Sequence, residues 1–344
     1  MEKPVKVGII GCGAIAEHLH APDYAAAPEA EITAFCDLSK AKAERLAARH
    51  APGAKIYSDY KAMLKDGVVD AVSVCLPNVL HGPVTIAAAK AGCHVLVEKP
   101  MATSLDEAKA MIAAAKKAGV LLMVNQSQRR FPSHRKAKEV LESGIMGKIL
   151  HVTAMFGHMG PEYWSPTGKW FFQKKQARFG AMADLGVHKA DLVRHLTGKE
   201  VAEVSAAYGT LEKKNTDVED NFVATLKFAD GTLGTLASSW TVKGMEANYM
   251  ILHCANGTLE INWLPDKPLM AQLTKPECEI VFPMPPPPTN ADAGWGLDIG
   301  GAFCRAILGL EAPYCSGEEG MKSLAVILAA EKAADTGRTV KVKI

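Results

Sequence analysis

Residues 5–16 read VKVGIIGCGAIA, and residues 32–37 read ITAFCD. The first stretch is an apolar strand followed by Gly11 and Gly13 in the pattern G-x-G-x-x-A, and the second is a strand that closes on Asp37. Gly11 permits a tight turn, and Gly13 leaves the backbone open to close approach by a pyrophosphate. Strand, turn, helix, strand and terminal acid follow in the order of a dinucleotide-binding unit, so the sequence predicts one here.

The residues around this turn also indicate which dinucleotide is bound. Ala14 and Ile15 open the helix whose N-terminal N–H groups and positive dipole end favour phosphates. A carboxylate at Asp37 accepts both ribose hydroxyls of an adenosine and repels a 2′-phosphate, which favours NAD over NADP. Basic residues between positions 40 and 45 partly offset that repulsion, so NADP stays possible.

The composition is that of an ordinary globular protein. At 344 residues the chain is too long for one compact core, so two domains are expected. A net charge of +2 gives no reason to expect nucleic acid or an anionic membrane as a partner. The opening residues lack the apolar core of a signal peptide, and no pair of the eight cysteines has C-x-x-C spacing, so a reducing cytoplasm is the expected location.

The chain changes texture near residue 124. Before it, apolar strand-like runs alternate with alanine-rich helical segments, which is typical of a parallel sheet with helices on both faces; the runs are 5–10, 32–36, 69–76, 95–98 and 120–124. We therefore expect a Rossmann-type NAD-binding domain at 1–124 and an α+β substrate-binding and oligomerisation domain at 125–344.

The second domain is expected to contain a large, mostly antiparallel sheet. Alternating strands occupy residues 201 to about 282, and Asp230-Gly231 and Asn256-Gly257 are hairpin signals. One face of the sheet rests on helices, and an open face invites a second copy of the chain, so a homodimer or homotetramer is expected. The proline run at 283–288 is expected to be a stiff spacer.

Two clusters are suited to proton chemistry. Lys99 follows Glu98 at the C-terminal end of a parallel strand, where ligands of such sheets bind; its alternative is a solvated lysine. In a helix over 184–196, Asp184 and His188 are spaced i, i+4, and Asp191 either orients the imidazole or is a structural acid. No metal is expected, because the histidines and acids nearby lack ligand spacing.

Taken in order, these motifs resemble the glucose–fructose oxidoreductase/inositol dehydrogenase family (Gfo/Idh/MocA). The segments that carry the resemblance are the turn at 11–16, LPNVLH at 76–81, GCHVLVEKP at 92–100 and DLGVH at 184–188. Beyond the turn and the ribose acid, the resemblance implies cofactor contacts from Leu76, Pro77, Asn78, His81, Glu98 and Lys99.

The resemblance also implies the chemistry. His188 would accept the proton of a substrate hydroxyl, Lys99 would polarise that hydroxyl, and Asp184 would tune the histidine or hold a neighbouring hydroxyl. Arg129 would reach substrate or cofactor, or tie the domains together. The unusual segment 155–175 would line the substrate pocket, which makes His158 and Trp170 candidate substrate contacts.

The function that follows is an NAD-dependent dehydrogenase acting on a secondary hydroxyl of a sugar, cyclitol or related polyol. The same resemblance supports two alternatives, which are a redox glycosidase that retains its NAD and a non-catalytic regulator that senses a sugar or NAD. Release of NADH distinguishes the first alternative, and the intact Lys99, Asp184 and His188 argue against the second.

Overall fold

The computed structural model describes residues 3–264, 266–285 and 294–344, and the chain forms two compact units. Unit 1 consists of Met1–Ser127, Trp164–Trp170 and Pro287–Met321, and unit 2 consists of Gln128–Tyr163, Phe171–Pro286 and Lys322–Ile344. Each unit therefore draws on more than one stretch of the chain. The division into domains at 1–124 and 125–344 stays a prediction, and the end of the expected proline spacer lies outside the described residues.

Unit 1 is built on a six-stranded parallel sheet with the strand order β3-β2-β1-β4-β5-β6. Its strands are β1 (Val5–Ile10), β2 (Ala30–Cys36), β3 (Lys55–Tyr57), β4 (Ala71–Val74), β5 (His94–Val97) and β6 (Leu122–Val124). Helices alternate with them: α1 (Ala21–Ala26), α2 (Lys40–His50), α3 (Tyr60–Lys65), α4 (His81–Lys90) and α5 (Leu105–Ala118). The order reverses between β1 and β4, and this reversal is where such folds bind dinucleotides.

The sequence explains why these strands are internal. Every residue of β4 and β6 is buried, as expected when helices cover both faces of a parallel sheet. The helix α5 begins where the Ser104 hydroxyl accepts the Glu107 N–H at 3.2 Å, and it ends at Gly119, whose φ of 68° favours glycine. The predicted Rossmann topology is confirmed.

Unit 2 contains a nine-stranded sheet with the order β14-β13-β12-β11-β7-β10-β9-β8-β15. Its strands are β7 (Ile149–Gly157), β8 (Val201–Gly209), β9 (Asn221–Phe228), β10 (Leu233–Ser239), β11 (Ala247–Cys254), β12 (Gly257–Leu264), β13 (Lys267–Thr274), β14 (Glu277–Val281) and β15 (Val340–Lys341). Among these described strands β7 and β10 pair in parallel, and the other neighbours pair antiparallel. The predicted mostly antiparallel sheet is confirmed.

Both hairpin predictions are correct. Asp230-Gly231 joins β9 to β10, and Asn256-Gly257 joins β11 to β12. Along β9 the side chains of Phe222 and Leu226 are buried, whereas Val223 is 56% exposed, so the sheet has one covered and one open face. The period of two in the sequence sets this difference.

Helices cover one face of the sheet in unit 2. They are α6 (Pro132–Glu142), α7 (Lys174–Ala177) and α8 (Val187–Thr197), and α8 follows a π-helical turn at Met182–Gly186. Val187 and Val193 of α8 share one apolar cluster with Leu252 and Leu226 of the strands. The helix expected at 184–196 therefore exists, but its first residues form a wider π-helical turn that contains Asp184. The prediction that Asp184 and His188 share one face of a regular α-helix is therefore wrong.

The last helices return the chain to both units. The helix α9 (Ile299–Ile307) packs in unit 1, where the Asp23 carboxylate accepts the Ile299 N–H at 2.7 Å. The helix α10 (Gly317–Thr336) begins in unit 1 and continues in unit 2. Within the described residues, no helix has the length and apolar character needed to cross a bilayer.

Candidate active site

The first turn of unit 1 is shaped to receive a phosphate group. Gly11 has a φ of 94°, and a Cβ there would lie 2.2 Å from the carbonyl oxygen of Cys75, so the position requires glycine. A Cβ built on Gly13 meets no atom of the described chain within 4 Å, so the space beside it is open. The helical residues Ala14 and Ile15 follow directly, and the first N–H groups of a helix bind anions. A dinucleotide pyrophosphate fits this turn.

The acid that follows β2 is tied to the same turn. One carboxylate oxygen of Asp37 accepts the Cys12 N–H at 2.8 Å, and the other accepts the Ser39 N–H at 2.7 Å. The neighbouring Arg45 is paired with Glu17 at 2.7 Å. The carboxylate is therefore fixed beside the turn and Arg45 is engaged by Glu17, an arrangement that favours a free ribose over a 2′-phosphate.

His81 joins two loops at the edge of the parallel sheet. Its Nδ1 lies 2.7 Å from the Pro100 carbonyl oxygen, and its Nε2 lies 2.8 Å from that of Leu76. Burial lowers the pKa of His81, so the neutral ring donates to one of these carbonyls. His81 is predicted to contact the cofactor, but both its nitrogens face the backbone; its observed role is to hold the loop of Pro77 and Asn78 in place.

Glu98 forms the centre of a buried polar network behind Lys99. Its Oε1 accepts from His20 Nε2 at 2.9 Å and from Asn125 Nδ2 at 2.6 Å, and its Oε2 lies 3.2 Å from the Lys99 backbone N–H. Burial alone would raise the pKa of Glu98, but the hydrogen bond from His20 and the charge of Lys99 hold it below its ordinary value. Glu98 is therefore a carboxylate that fixes the main chain bearing Lys99.

The network extends to both sides of Glu98. The Nδ1 of His20 lies 3.0 Å from Ser73 Oγ, which lies 2.8 Å from the Tyr24 hydroxyl. On the other side, the Tyr314 hydroxyl donates to Asn125 Oδ1 at 2.8 Å. These groups are mutually satisfied, so they form a rigid support, since a buried polar group without a partner is costly.

In unit 2, Asp184 is held by two side chains from other segments. Its Oδ2 accepts the Trp240 indole N–H at 2.9 Å and lies 3.9 Å from His158 Nε2. Trp240 is fully buried and packs edge-on against Phe172, with ring centroids 5.6 Å apart. His158 is itself fixed, because its Nδ1 accepts the Gly160 N–H at 2.9 Å. The carboxylate of Asp184 is thus preorganised.

His188 lies in the first turn of α8 and is buried. The His188 ring packs against Phe156 with centroids 5.9 Å apart, and the Phe156 ring also meets His158 edge-on at 6.0 Å. Unit 2 therefore gathers Asp184, His158 and His188, three of the sequence-predicted site residues, into one cluster around Phe156.

Arg129 and Asp191 form a buried ion pair in unit 2. The Arg129 guanidinium donates to both carboxylate oxygens of Asp191, at 2.6 and 2.7 Å, and Ser323 Oγ donates to the same carboxylate at 2.9 Å. Both charged side chains are buried. The ion pair favours a structural role for Asp191, and the predicted reach of Arg129 toward substrate or cofactor stays a prediction.

The Glu219 side chain hydrogen-bonds the backbone at the start of the turn that contains Asp184. The Oε1 of Glu219 accepts the N–H groups of Gly180 and Met182 at 2.8 and 2.9 Å. A Cβ on Gly180 would lie 1.8 Å from the Glu219 carbonyl oxygen, so the backbones touch. Burial raises the pKa of Glu219 in spite of these hydrogen bonds. The first N–H groups of a helix have no acceptor within the helix, and here the Glu219 carboxyl group supplies one.

Sequence reasoning missed four residues of these sites, which are Trp240, Glu219, Phe156 and His20. Trp240 ends an alternating strand, and a buried indole needs a hydrogen-bond acceptor, so its position was a usable signal. Phe156 lies in segment 155–175, which is expected to line the substrate pocket, but its own role was not assigned. Glu219 and His20 gave no signal, because their partners lie far away in the chain. Lys99 and Trp170 belong to unit 1, whereas Asp184 and His188 belong to unit 2, so a shared site for all four stays a prediction.

The described part of the chain contains no cluster of side chains suited to binding a metal ion. No group of three or more histidine, cysteine, aspartate or glutamate side chains there is placed to hold a metal ion. The acids near His188 are instead bonded to Trp240 and Arg129.

Two family models match most of the chain. Residues 5–126 match the family model described as an oxidoreductase family with an NAD-binding Rossmann fold, and residues 134–260 match the GFO/IDH/MocA C-terminal domain. The chain therefore belongs to the Gfo/Idh/MocA family of oxidoreductases, and it contains that family's NAD-binding domain.

Curated relatives and solved structures align with most of the chain. It is 29% identical to the 1,5-anhydro-D-fructose reductase of Ensifer adhaerens, covering 91% of each protein. It is 31% identical to the myo-inositol 2-dehydrogenase of Thermotoga maritima, covering 68% of each. The structure of a levoglucosan dehydrogenase with NADH and levoglucosan superposes with a TM-score of 0.86 at 25% identity, covering 99% of this chain and 100% of that one. These relatives are oxidoreductases of sugars and cyclitols.

Proposed function

We propose that this protein uses NAD to interconvert a secondary hydroxyl group and a ketone on a sugar, cyclitol or related polyol. The observation that carries the proposal is the buried cluster in unit 2, in which the Asp184 carboxylate and the His188 imidazole follow a D-x-G-x-H motif. The names of the relatives specify 1,5-anhydro-D-fructose, myo-inositol and levoglucosan, all of them polyhydroxylated rings.

In this proposal each residue handles one part of an alcohol oxidation. His188 accepts the hydroxyl proton, because an imidazole is the side chain best matched to proton transfer near neutral pH. Lys99 donates a hydrogen bond to the same oxygen and stabilises negative charge that develops there. NAD, when bound, supplies the acceptor for the hydride that leaves the carbon with both electrons. The alcohol loses one hydride and one proton and becomes a ketone.

Asp184 completes the proposed site. Because Trp240 and His158 hold its carboxylate, Asp184 is a fixed negative charge that stabilises the imidazolium form of His188 or accepts a neighbouring substrate hydroxyl. A polyol isomer with a correctly placed hydroxyl then donates to the Asp184 carboxylate, whereas an isomer without that hydroxyl loses this hydrogen bond. The difference in binding energy selects between substrate isomers.

The test is a panel of substrates assayed for NADH formation. Levoglucosan, myo-inositol, scyllo-inositol, glucose and methyl glucoside are each incubated with the protein and with NAD or NADP. Formation of stoichiometric NADH with one class of polyol supports the proposal. Cleavage of a glycoside without net NADH supports the redox glycosidase, and binding without any turnover supports a sensor.

Variants then assign the residues. Lys99→Met and His188→Ala are each expected to lower kcat by about a hundredfold or more, because general acid–base groups contribute on that scale. NAD affinity should persist in His188→Ala. The matched control is His151→Ala, which removes a histidine of the same unit from β7, outside the cluster. Full activity in both catalytic variants would reject the assignment.

We also propose that the open face of the sheet in unit 2 associates with a second copy of the chain. On this face Val223 and Leu233 are 56% and 55% exposed, and the register places Thr225 opposite Thr235 between them. Exposed branched apolar side chains on neighbouring strands favour association. Val223→Glu should convert the oligomer to monomers in light scattering, and Arg135→Glu, an exposed position of α6 on the helical side of the sheet, is the control.

A cytoplasmic location is proposed on chemical grounds. All eight cysteines are thiols, and seven of them are buried. Burial raises the pKa of Cys12 and of Cys36 to about 12, which keeps both thiols protonated and unreactive. Such thiols are typical of a reducing compartment.

A further inference from the structure

Lys189 is the residue that follows His188 in α8, and it is fully buried. Its Nζ lies 3.4 Å from Gln128 Oε1, a long hydrogen bond, and 5.8 Å from the centroid of the Phe156 ring. The acid nearest in sequence, Asp191, is already bonded to the Arg129 guanidinium. The described residues therefore give this amine a neutral amide and an aromatic face as partners, and no carboxylate within ion-pair distance.

Such an amine works against the stability of the fold. Burial lowers the pKa of Lys189 to about 7, and the charge of Glu246 opposes this shift in part. A methionine would fill similar space without any charge to desolvate. A residue that is unfavourable for stability and lies next to a proposed proton acceptor is a candidate for a functional role.

The same aromatic ring connects Lys189 to His188. The Lys189 Nζ and the centroid of the His188 ring each lie within 6 Å of the Phe156 centroid, so the distance between the amine and the imidazole is less than about 12 Å. We infer that Lys189 is a positioning residue for the proton acceptor: its positive charge favours the neutral, proton-accepting form of His188, and its stem supports the Phe156 ring on which His188 packs. This inference rests on the proposed role of His188.

Other charged groups face this region and are included in the expectation. Glu246 acts on Lys189 from the loop before β11, and Lys189 in turn helps lower the pKa of His134 in α6, where burial is the larger cause. His158 also contacts Phe156, and its Nε2 lies 3.9 Å from the Asp184 carboxylate. Of these groups, Asp184 opposes the effect of Lys189 on His188 because its charge is negative.

The test measures His188 directly and needs no substrate. Histidine is labelled with 13C at Cε1, and the pH midpoint of the His188 resonance is followed by NMR in the full-length protein with Lys189→Met. At an effective dielectric constant of about 20, loss of a unit charge at this distance raises the midpoint by about one pH unit. The pH profile of kcat/KM for NADH-forming turnover should shift in the same direction.

Two further variants separate charge from packing. Lys189→Arg keeps the charge and should keep the midpoint, whereas Lys136→Met removes an exposed lysine of α6 and should change nothing. A folded Lys189→Met with the midpoint of the parent protein would overturn the inference. A shifted midpoint in a protein that oxidises no polyol would retain the effect on His188 and reject the proposed function instead.

Discussion

The indole N–H of Trp240 donates to the Oδ2 of Asp184 at 2.9 Å, across 56 residues of sequence. An indole nitrogen is a donor without acceptor capacity, so the Asp184 oxygen is the acceptor of this bond. The bond ties the chain after β10 to the π-helical turn that precedes α8, and Asp184 gains its orientation from the sheet as well as from its own helix.

Removal of this bond should affect activity more than folding. In Trp240→Phe the carboxylate loses a charged hydrogen bond worth about 1.5–3 kcal/mol, so kcat/KM should fall by about tenfold or more. The measurement is steady-state NADH formation with the best substrate of the panel. Phe172→Leu removes the ring that packs on Trp240 but keeps the bond, and it should retain most of the activity.

The two glycines of the phosphate turn should fail in different ways. Gly13→Ala places a methyl group where the described chain leaves open space, so the melting temperature should stay unchanged while NAD binding weakens by about tenfold or more. Gly11→Ala forces a side chain onto the Cys75 carbonyl at positive φ and should destabilise the fold by more than about 2 kcal/mol. Calorimetry with and without NAD distinguishes the two effects; a Gly13→Ala protein with normal NAD affinity would contradict the predicted turn.

Stability should depend on pH through Lys189. Its pKa is about 7 in the folded protein against an ordinary 10.5, so the unfolded chain binds the extra proton between these values. Lys189→Met should therefore raise the free energy of unfolding by a few kcal/mol at pH 7, roughly the size of the pKa difference. The gain should shrink steadily toward pH 10.5. Urea unfolding at pH 7, 8.5 and 10 measures it, and a constant gain at all three would contradict the buried charged amine.

The Glu98 network should make unit 1 sensitive to acid. Because the pKa of Glu98 lies below its ordinary 4.5, its contribution is complete above pH 4.5 and is lost as the pH falls through the folded value. Glu98→Gln should lower the free energy of unfolding by about 3 kcal/mol at pH 7, since His20 loses its carboxylate partner, and the loss should be smaller at pH 4. Glu17→Gln is the control, because it removes a carboxylate of unit 1 whose ion pair with Arg45 is more exposed than the buried Glu98 network. Equal losses in the two variants at pH 7 would contradict the network's role.

Local patterns in the sequence were sufficient for much of the fold. The strand Val5–Ile10 has the predicted bounds, because a buried parallel strand is a continuous apolar run closed by glycine. Asp230-Gly231 and Asn256-Gly257 specify their hairpins because few other residues adopt those turns. In the site, the order of motifs was enough to place Asp184 and His188 close together, although they lie in two successive elements, the π-helical turn and α8.

What the sequence did not predict depends on distant partners. The bidentate pairing of Arg129 with Asp191 joins residues 62 positions apart, so neither role was decided by local spacing. The π-helical turn at Met182–Gly186 begins where the Glu219 carboxyl group accepts the Met182 N–H, a contact between distant segments that hydrophobic periodicity does not reveal. The burial of Lys189 could not be predicted from the sequence either, since a lysine in a helix is ordinarily exposed to solvent.

The parallel pairing of β7 with β10 bears on how unit 2 assembles during synthesis. The strand β7 lies between β10 and β11, which emerge some 80 residues later, so a nascent chain that ends before residue 233 exposes both edges of β7. Unpaired strand edges promote aggregation, and pairings between distant segments form slowly. Truncation or circular permutation within the second half of the sheet therefore endangers the strand whose end supplies His158, far upstream of the cut.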